Sequence, residues 1–149
     1  MTAKLVFEKP PENFNPKVEV AACFIHVGDQ VLFVKRHPSG SEPDKWGIPG
    51  GKLEKEETAH LAVRREVKEE TGLELPDAIK HLGTVYIRYP EVDFIYHMYS
   101  HHLPESFDVV IDPAEHVEYR WLTLKEALML PLIRGEDECI YLIYGENFS

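Results

Sequence analysis

The sequence has few cysteines and no long apolar run, and these absences exclude several classes of protein. Only two of the 149 residues are cysteine. Cys23 and Cys139 each lie among apolar residues, which is typical of buried free thiols. Because no Cys-x-x-Cys pair is present, a cysteine-based metal site and a disulfide framework are both disfavoured. No run of about 18 apolar residues occurs, so no membrane-spanning helix is predicted.

Basic residues are outnumbered by acidic ones, 16 Lys and Arg against 26 Asp and Glu, and the formal net charge is −10 at pH 7. This charge disfavours binding to extended nucleic acid, whose backbone requires patches of Lys and Arg. An acidic protein can still bind a small phosphorylated ligand if metal ions supply positive charge. The N-terminus lacks an apolar stretch followed by a small-residue cleavage site, so we expect a cytoplasmic protein without a membrane partner.

The residue pattern predicts one α/β domain with a mixed β-sheet. The apolar fraction of 44% is enough for a packed core. Residues 1–17 contain several prolines and are predicted to form an N-terminal arm with at most one short strand at Leu5–Glu8, followed by a single domain over residues 18–149. Residues 37–51 are predicted to form a loop. Further strands are predicted at Val18–Val27, Val31–Arg36, Leu82–Arg88, Phe94–His102 and Glu118–Leu122, and helices at Thr58–Thr71, Leu124–Leu130 and Glu136–Tyr144.

The clearest of these helices, Thr58–Thr71, carries acidic residues where apolar ones are expected. At about 100° per residue, Glu66 and Glu70 fall within the apolar arc and Glu69 lies at its edge. Like charges beside a buried stripe are costly unless cations neutralise them, and clustered carboxylates suit Mg²⁺ or Mn²⁺. The alternative is a solvated helix face whose glutamates pair with Lys or Arg one turn away.

The spacing around the helix favours the metal interpretation. Gly51 is followed by five residues, Glu57, seven residues, Arg65-Glu66, an aliphatic residue, any residue, Glu69-Glu70, any residue, Gly72 and an aliphatic residue. A chance match to this pattern has a probability on the order of 10⁻⁷. The pattern is the complete Nudix box, and the sequence resembles the Nudix hydrolase family, in particular its MutT-like members. The preceding segment, residues 46–52, is similar to the approach to the box in those members.

This resemblance implies a Nudix-type α/β/α sandwich with a mixed β-sheet. It also implies a pyrophosphatase that uses Mg²⁺, or Mn²⁺, to hydrolyse a nucleoside diphosphate derivative, as a monomer or homodimer. A nucleoside triphosphate is favoured because residues 89–95 are similar to the matching strand of MutT-type triphosphatases. Sugar nucleotides, ADP-ribose and dinucleoside polyphosphates remain alternatives. Residues 134–139 lack the Asn of guanine-sanitising members, which argues against a role in clearing oxidised guanine nucleotides.

The resemblance also implies roles for individual residues. The implied metal ligands are Glu66, Glu69, Glu70, Glu115 and the carbonyl of Gly50. The implied catalytic residues are Glu66, Glu57, Arg65 and Glu115, and the implied substrate-binding residues are Arg36, Gly50 and Gly51. Glu66 and Glu115 are candidate bases, Arg65 and Glu57 are expected to orient the helix, and Glu57 as a ligand or base stays open.

Two other functions are compatible with parts of the sequence. A noncatalytic Nudix-like module could bind a nucleotide as a sensor, although such a module is expected to lack a box carboxylate. An isoprenoid isomerase would need a catalytic cysteine, whereas Cys23 lies in a predicted core strand. Trp46 could stack on a base, but packing in the core is favoured.

Overall fold

The computed structural model describes residues 3–145, which form a mixed sheet between helices. The strands are β1 Val6–Phe7, β2 Pro16–Val27, β3 Gln30–Arg36, β4 Trp46–Gly47, β5 Gly50–Lys52, β6 Lys80–Arg88, β7 Asp93–Leu103 and β8 His116–Leu122. The helices are α1 Ala59–Thr71, α2 Leu124–Ala127 and α3 Glu136–Tyr144. None of the helices in this part of the chain is long and apolar enough to cross a membrane.

The sheet is built around one long parallel pair. Its order is β1-β6-β7-β2-β3-β4, with β5 added to β2 and β8 to β3. Strands β2 and β7 run parallel from Pro16 to Val27, whereas the other paired strands named above are antiparallel. The predicted mixed sheet is therefore confirmed. The predicted hairpin is also present, with Gly28 at φ 60° in the turn between β2 and β3.

Helices cover both faces of the sheet. On one face, Phe24, Phe33 and Met98 pack in a cluster with Ile140 of α3. On the other face, Cys23 and Ile25 pack with apolar residues of α1. Every side chain from Ala21 to His26 in β2 is buried, as expected for a strand covered on both sides. The layered α/β/α arrangement agrees with the predicted fold class.

Local capping sets the limits of α1. The Thr58 side chain accepts a hydrogen bond from the backbone N–H of Leu61, and Gly72 ends the helix at φ 82°. Both ends agree with the sequence prediction. Both cysteines are buried and free, as predicted.

The structure corrects two predictions. The loop predicted at residues 37–51 contains β4 and the start of β5, because Trp46 pairs with Lys35 and Gly51 pairs with Ala21. The helix predicted at Leu124–Leu130 ends at Ala127. It stops early because the chain tightens into i→i+3 hydrogen bonds before Pro131, which disfavours helical geometry in the residue preceding it.

Candidate active site

A cavity of about 730 Å³ lies between the sheet, the β5 segment and the start of α3. This volume is typical of a small-molecule site. One group of lining residues contains most of the predicted site residues: Arg36, Gly50, Gly51, Glu66, Glu70 and Glu115. A second group was not predicted and includes Glu42, Tyr89, Glu91, Tyr96, Arg134 and Glu136.

Glu66 and Glu70 project from successive turns of α1 toward the cavity. Glu70 is only 5% exposed, and its Oε1 accepts a hydrogen bond from the backbone N–H of Gly50 at 3.0 Å. Burial raises the pKa of Glu70 well above its ordinary value despite this hydrogen bond, and the charges of Glu66 and Glu115 raise it further. Burial also raises the pKa of Glu66. Two neighbouring carboxylates in such a site repel each other when both are charged, and a bound cation would relieve this cost.

Glu57 and Arg65 form a bidentate ion pair beside this acidic pair. Arg65 Nε and Nη2 each donate to a Glu57 carboxylate oxygen at 2.8 Å, and Arg65 Nη1 donates to Glu66 Oε1 at 2.7 Å. Arg65 Nη2 also donates to the Lys52 carbonyl at 3.1 Å. Arg65 therefore ties α1 to the end of β5 and fixes the Glu66 carboxylate. The hydrogen bonds from Arg65 lower the pKa of Glu57 to about 2, which makes Glu57 a weak proton acceptor.

Glu69 is placed differently from its two neighbours. Its side chain is 56% exposed, and its Oε2 lies 3.5 Å from Arg65 Nη1. Within residues 3–145, no three His, Cys, Asp or Glu side chains are already grouped as metal ligands. Carboxylates suit a hard divalent cation by their chemistry, and Glu66, Glu70 and Glu115 all line the cavity, with Glu70 buried there. Glu69 as a further metal ligand stays a prediction, because its side chain lies beside Arg65 and does not line the cavity.

The two glycines of β5 allow close approach to their neighbours. A Cβ on Gly51 would lie 2.5 Å from the Glu66 carboxyl carbon and Oε2. A Cβ on Gly50 would lie 2.4 Å from the Ala21 carbonyl oxygen. The Gly-Gly pair thus lets the β5 backbone lie directly against Glu66 and Glu70. A larger residue would push the backbone and the carboxylates apart.

Arg36 and Glu115 reach the cavity from neighbouring strand ends. The Arg36 guanidinium donates to the Ser41 carbonyl at 2.8 Å and to Ser41 Oγ at 2.9 Å. The Glu115 carbonyl accepts from the backbone N–H of His37 at 2.9 Å, which ties the two segments together. Trp46 is buried and does not line the cavity, so the predicted core position is confirmed.

Glu136 is a buried acid that the sequence did not reveal as a site residue. It is 5% exposed, and its two carboxylate oxygens accept from Tyr96 Oη at 3.3 and 3.2 Å. Burial raises the pKa of Glu136 to about 7. An acidic residue in the first turn of a helix usually indicates an exposed charge near the helix dipole, so the local sequence carries no signal of this burial.

This buried acid predicts a pH-dependent stability difference. In the unfolded chain Glu136 ionises near its ordinary pKa of 4.5, whereas in the folded protein it stays protonated up to about pH 7. Stability is therefore lost as pH rises through this window, by at most about 3 kcal/mol for a shift of this size. The Glu136→Gln variant has no such loss, so its unfolding free energy relative to the wild type should rise from pH 4.5 to 7 and then level off. A difference that is constant with pH in urea titrations would contradict this assignment.

Comparisons with known proteins converge on one family. A family model described as NUDIX domain matches residues 16–142. CTP pyrophosphohydrolase from Escherichia coli is 30% identical over 118 residues, which cover 77% of this chain and 82% of that protein. CMP-5'-(N-acetyl-N-hydroxy-3-aminopropyl)phosphonate hydrolase from Streptomyces rubellomurinus is 34% identical over 115 residues, which cover 73% of this chain and 54% of that protein. The crystal structure of a MutT protein from Methanosarcina mazei Go1 matches with a TM-score of 0.77 at 25% identity, over 90% of this chain and 97% of that one.

Proposed function

Because the chain belongs to the NUDIX domain family, we propose that it hydrolyses a nucleoside triphosphate, with Mg²⁺ bound at Glu66 and Glu70. The chain is a hydrolase of pyrophosphate bonds in nucleotide derivatives. The family resemblance indicated by the sequence is confirmed. The observation that carries the metal assignment is the pairing of a buried Glu70 with a partly buried Glu66 at the wall of one cavity.

The acidic side of the cavity provides the groups for pyrophosphate cleavage. A divalent cation held there would polarise the diphosphate and lower the pKa of the attacking water. Arg36 is one of the basic residues that line the same cavity, and we assign it to contact a phosphate oxygen. Gly50 and Gly51 leave room for the phosphates against β5, and the Gly50 carbonyl is a further candidate ligand.

Among the candidate bases, we assign proton acceptance to Glu66, with Glu115 as the second candidate. The Glu66 carboxylate lines the cavity and is held in place by the hydrogen bond from Arg65, so it can lie beside a water bound there. Glu57 is the weakest candidate, because the Arg65 hydrogen bonds hold its pKa at about 2. We therefore assign Glu57 and Arg65 to positioning Glu66.

The side of the cavity lined by Tyr89, Tyr96 and Glu136 suits a nucleobase, and we propose that this base is cytosine. The cavity wall contains Tyr89, Phe94 and Tyr96, which offer ring surfaces to a base, and Glu136 lies among them. The exocyclic amino group of cytosine is a donor that a Glu136 oxygen can accept, whereas uracil has no amino group. Two relatives are named for reactions on cytidine nucleotides, CTP in one and a CMP conjugate in the other.

A substrate panel tests this proposal. We expect kcat/KM with Mg²⁺ to be at least about tenfold higher for CTP or dCTP than for UTP, since losing a matched hydrogen bond costs that much or more. Glu136→Ala should remove the preference, and Glu136→Gln should keep it because its amide oxygen still accepts. Equal rates for CTP and UTP in the wild type would refute the cytosine assignment while leaving pyrophosphate hydrolysis intact.

The same substrate panel distinguishes an active hydrolase from a noncatalytic sensor module. Both acids of the cavity pair are present, which favours turnover over mere binding. Nucleotide binding without phosphate or pyrophosphate release, with Mg²⁺ and with Mn²⁺, would favour the module instead.

A further inference from the structure

Arg134 joins three separate segments of the chain at the rim of the cavity. It lies in the connection between α2 and α3 and forms ion pairs with Glu42, in the loop at residues 37–45, and with Glu91, in the turn at residues 89–92. Arg134 Nε lies 2.6 Å from Glu42 Oε1, and its Nη1 lies 3.1 Å from Glu91 Oε1. All three side chains line the cavity.

The same arginine holds an aromatic wall of the cavity in two ways. Its guanidinium carbon lies 3.9 Å from the centre of the Tyr89 ring. Its backbone carbonyl accepts a hydrogen bond from Tyr89 Oη at 2.7 Å. We call the set Arg134, Glu42, Glu91 and Tyr89 the Arg134 clasp. A planar guanidinium can stack and pair with two carboxylates together, which a lysine ammonium cannot do.

The loop at residues 37–45 has backbone conformations that need contacts with other segments to hold them in place. Glu42 and Asp44 have φ angles of 49° and 60°, in the left-handed region that residues with a Cβ disfavour. Such conformations persist when surrounding contacts hold them. One such contact is the ion pair between Glu42 and Arg134, in which the Glu42 side chain is only 14% exposed.

We propose that Arg134 is a positioning residue, whose clasp pre-forms the cavity wall that receives the nucleoside part of the substrate. This inference rests on the proposed nucleotide hydrolysis. The clasp contains no candidate metal ligand or base, so its loss should weaken substrate binding and leave the chemical step unchanged. Pre-ordering a wall before binding removes an entropic cost that would otherwise reduce affinity.

The kinetic test compares Arg134→Gln with a matched arginine. We expect Arg134→Gln to raise KM roughly three- to tenfold with kcat changed less than about twofold, and Arg134→Lys to restore part of the loss. The control is Arg120→Gln: Arg120 also forms an ion pair, with Glu118, and stacks on the Trp46 ring, but it does not line the cavity. An equal KM for both Gln variants, or a loss confined to kcat, would overturn the proposal.

A paired carboxylate variant separates ordering from charge. Glu42→Gln combined with Glu91→Gln breaks the ion pairs and removes two negative charges near an anionic substrate. If the clasp acts by ordering the wall, this double variant also raises KM. If KM falls or stays at the wild-type value, the Arg134 effect comes from charge alone and the clasp is rejected.

Amide hydrogen exchange provides a readout that does not need turnover. In the free protein, Arg134→Gln should speed exchange in residues 37–45 and 89–92 at least several-fold, whereas Arg120→Gln should not. Unchanged exchange in both segments would overturn the proposal. A wild-type protein that turns over no nucleotide would refute the proposed function, and the exchange result would still report on the clasp.

Discussion

Glu70→Gln is expected to lower kcat/KM with Mg²⁺ by on the order of 10²- to 10³-fold while leaving the protein folded. Glutamine has nearly the same shape, and its amide oxygen can still accept the hydrogen bond from Gly50. What is lost is one negative charge of the Glu66 and Glu70 pair that we propose binds the cation. Glu66→Gln is expected to cause a comparable loss, since its carboxylate lines the same cavity and is the assigned base.

Metal-free stability distinguishes a ligand from a merely structural acid. Without a cation, Glu70 and Glu66 repel each other and lose hydration, so Glu70→Gln should keep or raise Tm in EDTA. The wild type should gain Tm on adding Mg²⁺, because a cation that binds the folded state stabilises it, and the variant should gain much less. The control is Glu74→Gln, an exposed acid just beyond α1 that pairs with Lys68. Near-normal turnover in both Glu70→Gln and Glu66→Gln would refute the metal site.

Glu69→Gln provides a test of the third implied ligand. The Glu69 side chain is exposed, and its contact to Arg65 is long. We therefore expect Glu69→Gln to lower kcat/KM less than Glu70→Gln does. A loss as large as that of Glu70→Gln would mean that the side chain turns to the cation when the metal binds.

The parts of the site that the sequence predicts are those encoded by neighbouring residues. Helix α1 has Thr58 and Gly72 at its ends, and its acids recur at intervals that place them on one side. The short strands β4 and β5 were missed because each is fixed by pairing with a distant strand rather than by its own composition. Propensity over two or three residues is too weak to predict such pairing.

The side of the cavity that we propose receives the nucleoside was missed for the same physical reason. Glu136 accepts a hydrogen bond from Tyr96, which is 40 residues away in the chain, and Arg134 meets Glu42 across 92 residues. In sequence, each of these is an ordinary charged residue in a polar segment. The box thus predicts the reacting diphosphate, whereas recognition of the attached group depends on contacts that only the folded chain brings together.

The two adjacent glycines of β5 should fail in different ways when replaced by alanine. In Gly50→Ala the new Cβ meets backbone, 2.4 Å from the Ala21 carbonyl oxygen and 2.5 Å from Ala22 Cα. These atoms belong to the central strand β2 and cannot move without breaking its pairing with β5. We expect a loss of unfolding free energy of about 3 kcal/mol or more, the upper range for overpacking, measured by urea denaturation.

In Gly51→Ala the new Cβ meets a side chain, 2.5 Å from the Glu66 carboxyl carbon. A side chain can rotate, so the fold should survive with a loss of roughly 1 kcal/mol, but Glu66 must leave its position and kcat/KM should fall on the order of 10²-fold. Gly40→Ala is the control, since its Cβ would lie 3.6 Å from the His37 carbonyl oxygen, an ordinary contact. Because Gly51→Ala acts through Glu66, combining it with Glu66→Gln should cost little more activity than Glu66→Gln alone. Additive losses in the double variant, or a larger destabilisation at Gly51 than at Gly50, would contradict this geometry.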